Sequence, residues 1–541
     1  MLDEDSRNNE PTVKRRLSRR FQVDLVGEGA LVGLVGGGVV TLYRVALSWA
    51  EKSLRAITGA AMGNAVLMLG WFALVAVICF AVCKLIIWEP ATSGSGIPQV
   101  DAEVIGRYDM PWHRVMVAKF LEGTLCTFAG LSMGREGPSV QLGGVSGKAV
   151  SRLLGRKRGE ERLLMTCGAA AGMSAAFHAP LTGVLFAIEE IHKEFTAPLI
   201  ITVMTSSIVS DFLVSQVLGI APVLSLSFIA DLPRMDYLLI VLLGLLCGVL
   251  GALHNAGMFA CQGLYKRISR KLPYARLGIP FAVAGFAAFA FPKLMCGGDA
   301  IVESLIDGGD VTLLTILGLL IGKYLFTTIC FGSGAPGGTM FPLVVMGGCI
   351  GAAFALGVGL TFGISNTYYV NFVALGVAGL FAAVVRAPVT AVVLVFELTG
   401  SLDALLSVSI VAILAYLTAN ILKVDPFYEH LLEGLLGTTP PDPTMNGELG
   451  EKVLRTVYVG TGSALEGMLI KEVPWPDQTR IVTIERAGHE IIPTGDIRLQ
   501  GLDQLLVIMN SDWEDDAFLK LSVMSEGKVE SQRLSGEPIP K

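Results

Sequence analysis

The sequence predicts an all-α polytopic membrane domain with broken helices, made of two related halves, followed by a small α+β cytoplasmic domain. Composition gives the first part. Of the 541 residues, 52% are hydrophobic and only 16% are charged, and the mean hydropathy is +0.61. A soluble domain carries about 25% charged residues, and this much apolar surface has no place inside a water-facing shell. A secreted disulfide scaffold, a disordered chain and an ordinary cytosolic enzyme are therefore excluded. Charge gives the second part. Residues 441–541 hold 10 Lys+Arg and 17 Asp+Glu, whereas the preceding 440 residues hold 31 and 30. The acid excess thus belongs to a separate C-terminal unit.

In chain order, residues 1–20 are polar and end in the basic cluster Lys14, Arg15, Arg16, Arg19 and Arg20. The positive-inside tendency places this end in the cytoplasm. A cleavable signal is excluded, because the apolar run that follows is too long and carries Asp24 and Glu28. The membrane domain is expected over 21–435, with halves at about 22–220 and 230–435. Uncharged runs at 56–83 and 237–265 are each long enough to span a bilayer. Residues 324–385 contain no charge over 62 positions and are broken by Ser333-Gly-Ala-Pro-Gly-Gly338, which predicts two or more spans with short or interrupted helices. All nine cysteines lie between Cys79 and Cys349 in apolar stretches, without a CxxC pair. They read as small buried hydrophobes, and no metal or cofactor is expected.

The two halves show in the letters. Residues 179–189 read APLTGVLFAIE and residues 387–397 read APVTAVVLVFE, an offset of 208. Upstream, Gly134-Arg-Glu-Gly137 and Gly334-Ala-Pro-Gly337 are Gly-x-x-Gly turns at an offset of 200. A repeat of this length in a membrane chain suggests a transporter.

Three segments share one grammar: Gly94-Ser95-Gly96-Ile97-Pro98, Gly134-Arg135-Glu136-Gly137-Pro138 and Gly334-Ala-Pro-Gly337-Gly338-Thr339-Met340-Phe-Pro342. Each is a Gly/Pro turn leading into an apolar helical stretch. Glycine lets the backbone turn sharply, proline suits a first helical turn, and the free N–H groups at such helix starts attract anions. Together they form a candidate anion site with no full cation in it, suited to weak binding and rapid release. Glu136 stands inside one of these turns. Its carboxylate can occupy an anion position when ionised and leave it when protonated, and acids within a membrane default to functional roles. Glu189 and Glu190 end another apolar run, and Lys119 lies 17 residues before Glu136, where its field can favour an anion.

These motifs, in this order, resemble the chloride channel and chloride/proton antiporter (CLC) family over roughly 25–435, together with Tyr428 in Asp425-Pro-Phe-Tyr428. The resemblance implies two inverted repeats and a homodimer in the bilayer with one anion path per subunit. It implies that Ser95 and Tyr428 donate hydroxyls to chloride, and that Thr339 and Met340 present backbone N–H groups, Met340 standing where a Phe is common. It also implies that Glu136 is the gating, proton-carrying acid and Glu190 the internal proton-transfer acid with Glu189 as companion. Passive channels commonly lack an acid at the Glu190 position, so proton/chloride exchange is expected over a channel. The intact Ser95 and Gly-Ala-Pro-Gly-Gly turn favour chloride over fluoride or nitrate. A multi-pass protein of the plasma (inner) membrane with both termini cytoplasmic is expected.

Residues 436–452 read as a Pro-rich linker. Strands are expected at Thr456–Val459, Arg480–Ile484, Glu490–Pro493 and Leu505–Met509, and a short helix at Ala464–Lys471. This unit, taken as 453–525, resembles the RCK-C (TrkA-C-like) regulatory domain. That resemblance implies dimerisation and a possible small ligand such as a cyclic dinucleotide. Residues 526–541 are polar and expected to be disordered. Two other classes make different demands on the sequence. An intramembrane enzyme is disfavoured because Glu189, Glu190, His192 and Glu194 form no HExxH. A membrane-anchored sensor with a vestigial pore predicts a degraded Ser95, Glu136 or Tyr428, and all three are present. No nucleic-acid partner is expected.

Overall fold

The computed structural model describes residues 10–437 and 452–525, apart from short segments at 157, 194, 220–225, 227, 229–232, 234–235, 270–272, 307–311, 363–367, 477–478, 487–488 and 511–513. The basic cluster's side chains, most of the linker and the polar tail fall outside the described residues. The chain divides into two units, Met1–Leu436 and Gly437–Lys541.

Among the described residues the first unit consists of helices joined by turns. Its first half contains α1 (Glu10–Ala61), α2 (Ala65–Trp88), α3 (Ile97–Val104), α4 (Trp112–Phe128), α5 (Glu136–Leu153), α6 (Arg158–Phe177), α7 (Pro180–Phe186) and α8 (Ala197–Leu218). The second contains α9 (Tyr237–Ser269), α10 (Pro273–Ala290), α11 (Asp299–Ile306), α12 (Leu313–Gly332), α13 (Met340–Phe362), α14 (Tyr369–Val385), α15 (Pro388–Thr399), α16 (Ala404–Ile421) and α17 (Phe427–Leu436). Among the described residues, seven helices are long and apolar enough to cross a membrane. Others, such as α3, α7 and α11, are too short to span.

The uncharged run at 56–83 is not one span. Gly63, at φ +84°, ends the first helix, and the Asn64 side chain accepts hydrogen bonds from the Val66 and Leu67 N–H groups to start α2. The 324–385 stretch resolves as the end of α12, a turn, and helices α13 and α14.

The halves mirror each other, but with a register different from the one read in the turns. Helices α5 and α13 begin at Glu136 and Met340, an offset of 204 rather than 200. The partner of Gly134 is therefore Gly338, and the two exchange backbone hydrogen bonds of 2.7 and 2.8 Å as an antiparallel pair. At this register the Gly334–Gly337 turn matches Gly130–Met133, where Gly130 and Gly334 share φ values of +82° and +79°, so matching Gly-x-x-Gly by letters alone shifted the alignment. Close packing repeats too. Gly143 of α5 lies against the Gly168 carbonyl of α6, and Gly347 of α13 against the Gly376 carbonyl of α14, so near that a Cβ on either would collide with backbone. Such contact lets helices pack in lipid without a hydrophobic driving force.

The second unit carries a four-stranded antiparallel sheet of order β1-β4-β2-β3, with β1 at Lys452–Tyr458, β2 at Arg480–Arg486, β3 at His489–Ile491 and β4 at Gln504–Asn510. Val457, Ile484, Leu505, Val507 and Leu521 share its core. Helix α18 (Glu514–Ser525) packs on β1 and β4; it was missed in the sequence, where acidic Glu514, Asp515 and Asp516 obscure its apolar face. The short helix expected at Ala464–Lys471 does not form, and only a single 3₁₀ turn follows, at Ile470–Glu472. Gly467, at φ +85°, breaks it. The chain instead runs alongside 497–499, with Gly467 N–H donating to Leu499 O and Ile470 N–H to Ile497 O.

Candidate anion and proton site

The three Gly/Pro turns come together. Gly94 N–H donates to Gly334 O and Gly337 N–H to Gly94 O, both at 3.1 Å, while the Gly134–Gly338 pair joins the other two turns. Gly94 and Gly96 hold φ values of +73° and +100°, which glycine adopts without strain. A Cβ on Gly137 would meet Ser95 and Gly338, so the turns approach as bare backbone. Pro98 and Pro138 lie in the first turns of α3 and α5.

Around this junction, Ser95 is 3% exposed, and its Oγ has no hydrogen-bond partner among the described residues. Thr339 and Met340 are buried at the start of α13. The Tyr428 phenol, on the first turn of α17, lies beside Ser95 and Thr339. Its ring is held edge-on by Phe186 at 6.3 Å and Phe427 at 5.3 Å. A buried hydroxyl with nothing to bond is rare in proteins unless a ligand or water uses it. Beside Ser95 opens a cavity of about 210 Å³, whose lining includes Gln99, Lys266, Arg276 and His430.

Glu136 is fully buried. Its Oε2 accepts a hydrogen bond of 3.2 Å from the Phe341 N–H in the first turn of α13. Its Oε1 has no hydrogen-bond partner among the described residues and lies 4.0 Å from Arg135 Nε. Arg135 stacks over the Phe341 ring at 5.2 Å and approaches Asp299 at 3.9 Å. The carboxylate thus sits at the positive end of α13, where a free anion would be drawn. The sequence pointed to the N–H groups of Thr339 and Met340; the donor engaged here is the next residue.

Glu189 and Glu190 part company. Glu189 accepts from the Val389 N–H at 3.3 Å, the Thr390 N–H at 2.8 Å and the Thr390 hydroxyl at 2.7 Å, so it caps α15. Glu397 does the same for α7, accepting from Leu181 N–H, Thr182 N–H and the Thr182 hydroxyl at 2.6–2.8 Å. Reciprocal caps of this kind are what a two-fold relation between the halves produces. Glu190 is 7% exposed, in a π-helical turn spanning Ala187–His192; such turns recur at functional sites. Charged groups facing it are Lys193, Asp101, Glu189 and Glu429. Asp101, buried with a free Oδ1, was not singled out in the sequence. Tyr428 lies within electrostatic reach of both Glu136 and Glu190. Lys119 is fully buried, and its ammonium donates to the carbonyls of Thr92 at 2.8 Å and Gly94 at 2.7 Å. It therefore staples the turn that carries Ser95.

Broken helices whose N-termini converge on an unpaired hydroxyl and a buried carboxylate define a multi-pass membrane protein built to handle an anion. Residues 72–420 match the family described as voltage gated chloride channel, and residues 454–519 match the TrkA-C domain. The H(+)/Cl(-) exchange transporter ClcA of Vibrio cholerae serotype O1 is 32% identical over 418 residues, covering 75% of this chain and 88% of that protein. ClcA of Yersinia pseudotuberculosis is 31% identical over 417 residues, covering 74% and 86%. A slow cyanobacterial Cl-/H+ antiporter of solved structure superposes with a TM-score of 0.73 at 26% identity, covering 77% of this chain and 98% of that one. The chain belongs to the voltage gated chloride channel family.

Proposed function

We propose that this protein exchanges chloride for protons across the membrane. The observation that carries the reading is the Glu136 carboxylate seated on the Phe341 N–H at the start of α13. An ionised carboxylate there competes with chloride for the same helix end. When it takes up a proton it loses its hold, and chloride enters as the proton leaves with the side chain. Ser95 and Tyr428 supply hydroxyl donors one step further in, and backbone at Thr339 and Met340 completes the site without a cation. Glu190 loads protons from the cytoplasmic side, and Tyr428 lies within electrostatic reach of both acids. Lys266 and Arg276 in the cavity beside Ser95 raise the local anion concentration at the entrance. The names of the relatives support exchange rather than passive conduction. Further parts of this reading are a homodimer with one path per subunit, a location in the inner membrane with both termini cytoplasmic, and a C-terminal domain that binds a small ligand such as a cyclic dinucleotide.

The test is flux from liposomes holding the purified protein. With a chloride gradient imposed and no proton gradient, exchange drives protons uphill. Chloride flux without proton movement establishes a channel instead.

A further inference from the structure

The buried Lys119 staple occurs in both halves. In the second half, Lys323 donates to Leu294 O at 3.1 Å and Cys296 O at 2.7 Å. The turns held are alike: Gly94 and Cys296 have φ of +73° and +54°, and Gly96 and Gly298 have +100° and +102°. Fixing such a turn therefore needs only the lysine. One difference stands out three residues along each helix, where α4 carries Glu122 and α12 carries Phe326. Glu122 is fully buried. Its Oε1 lies 3.0 Å from the Thr92 hydroxyl, which also reaches the Glu89 carbonyl at 2.7 Å, and its Oε2 has no hydrogen-bond partner among the described residues. Thr92 joins the pair, since its carbonyl receives the Lys119 ammonium. The acid appears only in the half whose turn presents a hydroxyl: the place of Ser95 is taken by Gly297 in the other. A half-satisfied acid in a membrane core is costly, and the second half shows that the turn is stapled without one.

We propose that Glu122 is a positioning residue for the anion site: its carboxylate offsets the Lys119 ammonium and so holds down the affinity of the Ser95 turn for chloride. This rests on the exchange reading above. Fast turnover requires that the anion leave as readily as it enters, and an uncompensated ammonium one residue from Ser95 works against that. A full charge about 12 Å from an anion changes its affinity by about an order of magnitude at an effective dielectric of about 20, and a nearer one by more.

The experiment is chloride titration by calorimetry on the purified full-length protein. Glu122→Gln keeps an oxygen for the Thr92 hydroxyl but removes the charge, and chloride binding should tighten by about tenfold. Glu122→Ala should shift in the same direction, whereas a purely structural role weakens binding in Ala and leaves Gln like wild type. The Lys119→Met/Glu122→Gln variant restores neutrality but also removes the staple, so it should lose the tenfold gain and bind no more tightly than wild type. Wild-type affinity in Glu122→Gln, or a gain that persists without Lys119, overturns the proposal. A wild-type protein that binds no chloride overturns the exchange reading first and this inference with it.

Discussion

The two halves of the membrane unit share a skeleton and differ in chemistry. What repeats is architectural: the α5 and α13 starts, the Gly143–Gly168 and Gly347–Gly376 contacts, the Lys119 and Lys323 staples, and the reciprocal Glu189 and Glu397 caps. What does not repeat is polar and central. Glu136 faces Met340 across the pseudo-symmetry, Glu190 corresponds to Leu398, Ser95 to Gly297 and Glu122 to Phe326. Internal symmetry thus acts as a control built into the chain. A residue kept in both halves supports the fold, and a residue present in one is a candidate for transport.

This division can be broken by substitution. The largest effect is expected at an unrepeated acid. Glu190→Gln should abolish chloride-driven proton movement while chloride flux continues, measured in liposomes; retained coupling would move Glu190 to the architectural class. Next come the repeated glycines. Gly376→Leu places a side chain into the Gly347 carbonyl and should cost more than the ~1–3 kcal/mol typical of overpacking, seen as a large fall in thermal midpoint or loss of folded protein. The caps follow. Glu189→Ala and Glu397→Ala each remove a charged acceptor from two N–H groups and one hydroxyl, and each should cost about 1.5–3 kcal/mol. Equal losses of midpoint sharpen the comparison. A loss of proton coupling confined to Glu189→Ala contradicts it. The smallest effect is at Ser95. Ser95→Ala removes one hydroxyl donor, worth about 0.5–1.5 kcal/mol, and should weaken chloride binding severalfold by calorimetry with stability unchanged.

Much of this was legible before the structure. Composition and charge separated the two units, and the Gly/Pro grammar located three turns that do meet. Other features depend on partners distant in sequence. The cap made by Glu189 lies about 200 residues away at Val389 and Thr390, a structural partner that the resemblance, which implies only a companion to Glu190, does not reveal. The register of 204 was hidden because the Gly-x-x-Gly letters also occur in a turn outside the matched helices. Asp101, three residues after Pro98, and Glu122, three after Lys119, carried a usable signal, an acid in a charge-poor stretch close to a residue already marked. It was passed over because neither lies inside the motif itself. In the C-terminal unit, Gly467 overrode the local helical pattern by sending the chain alongside 497–499.

The most direct test of the account is the Glu136→Ala variant, assayed for chloride efflux and proton uptake from the same liposomes. The account predicts that chloride efflux persists while proton movement falls to background, because the helix end stays open to anions but no carboxylate carries the proton. Proton uptake that still tracks chloride efflux would contradict it.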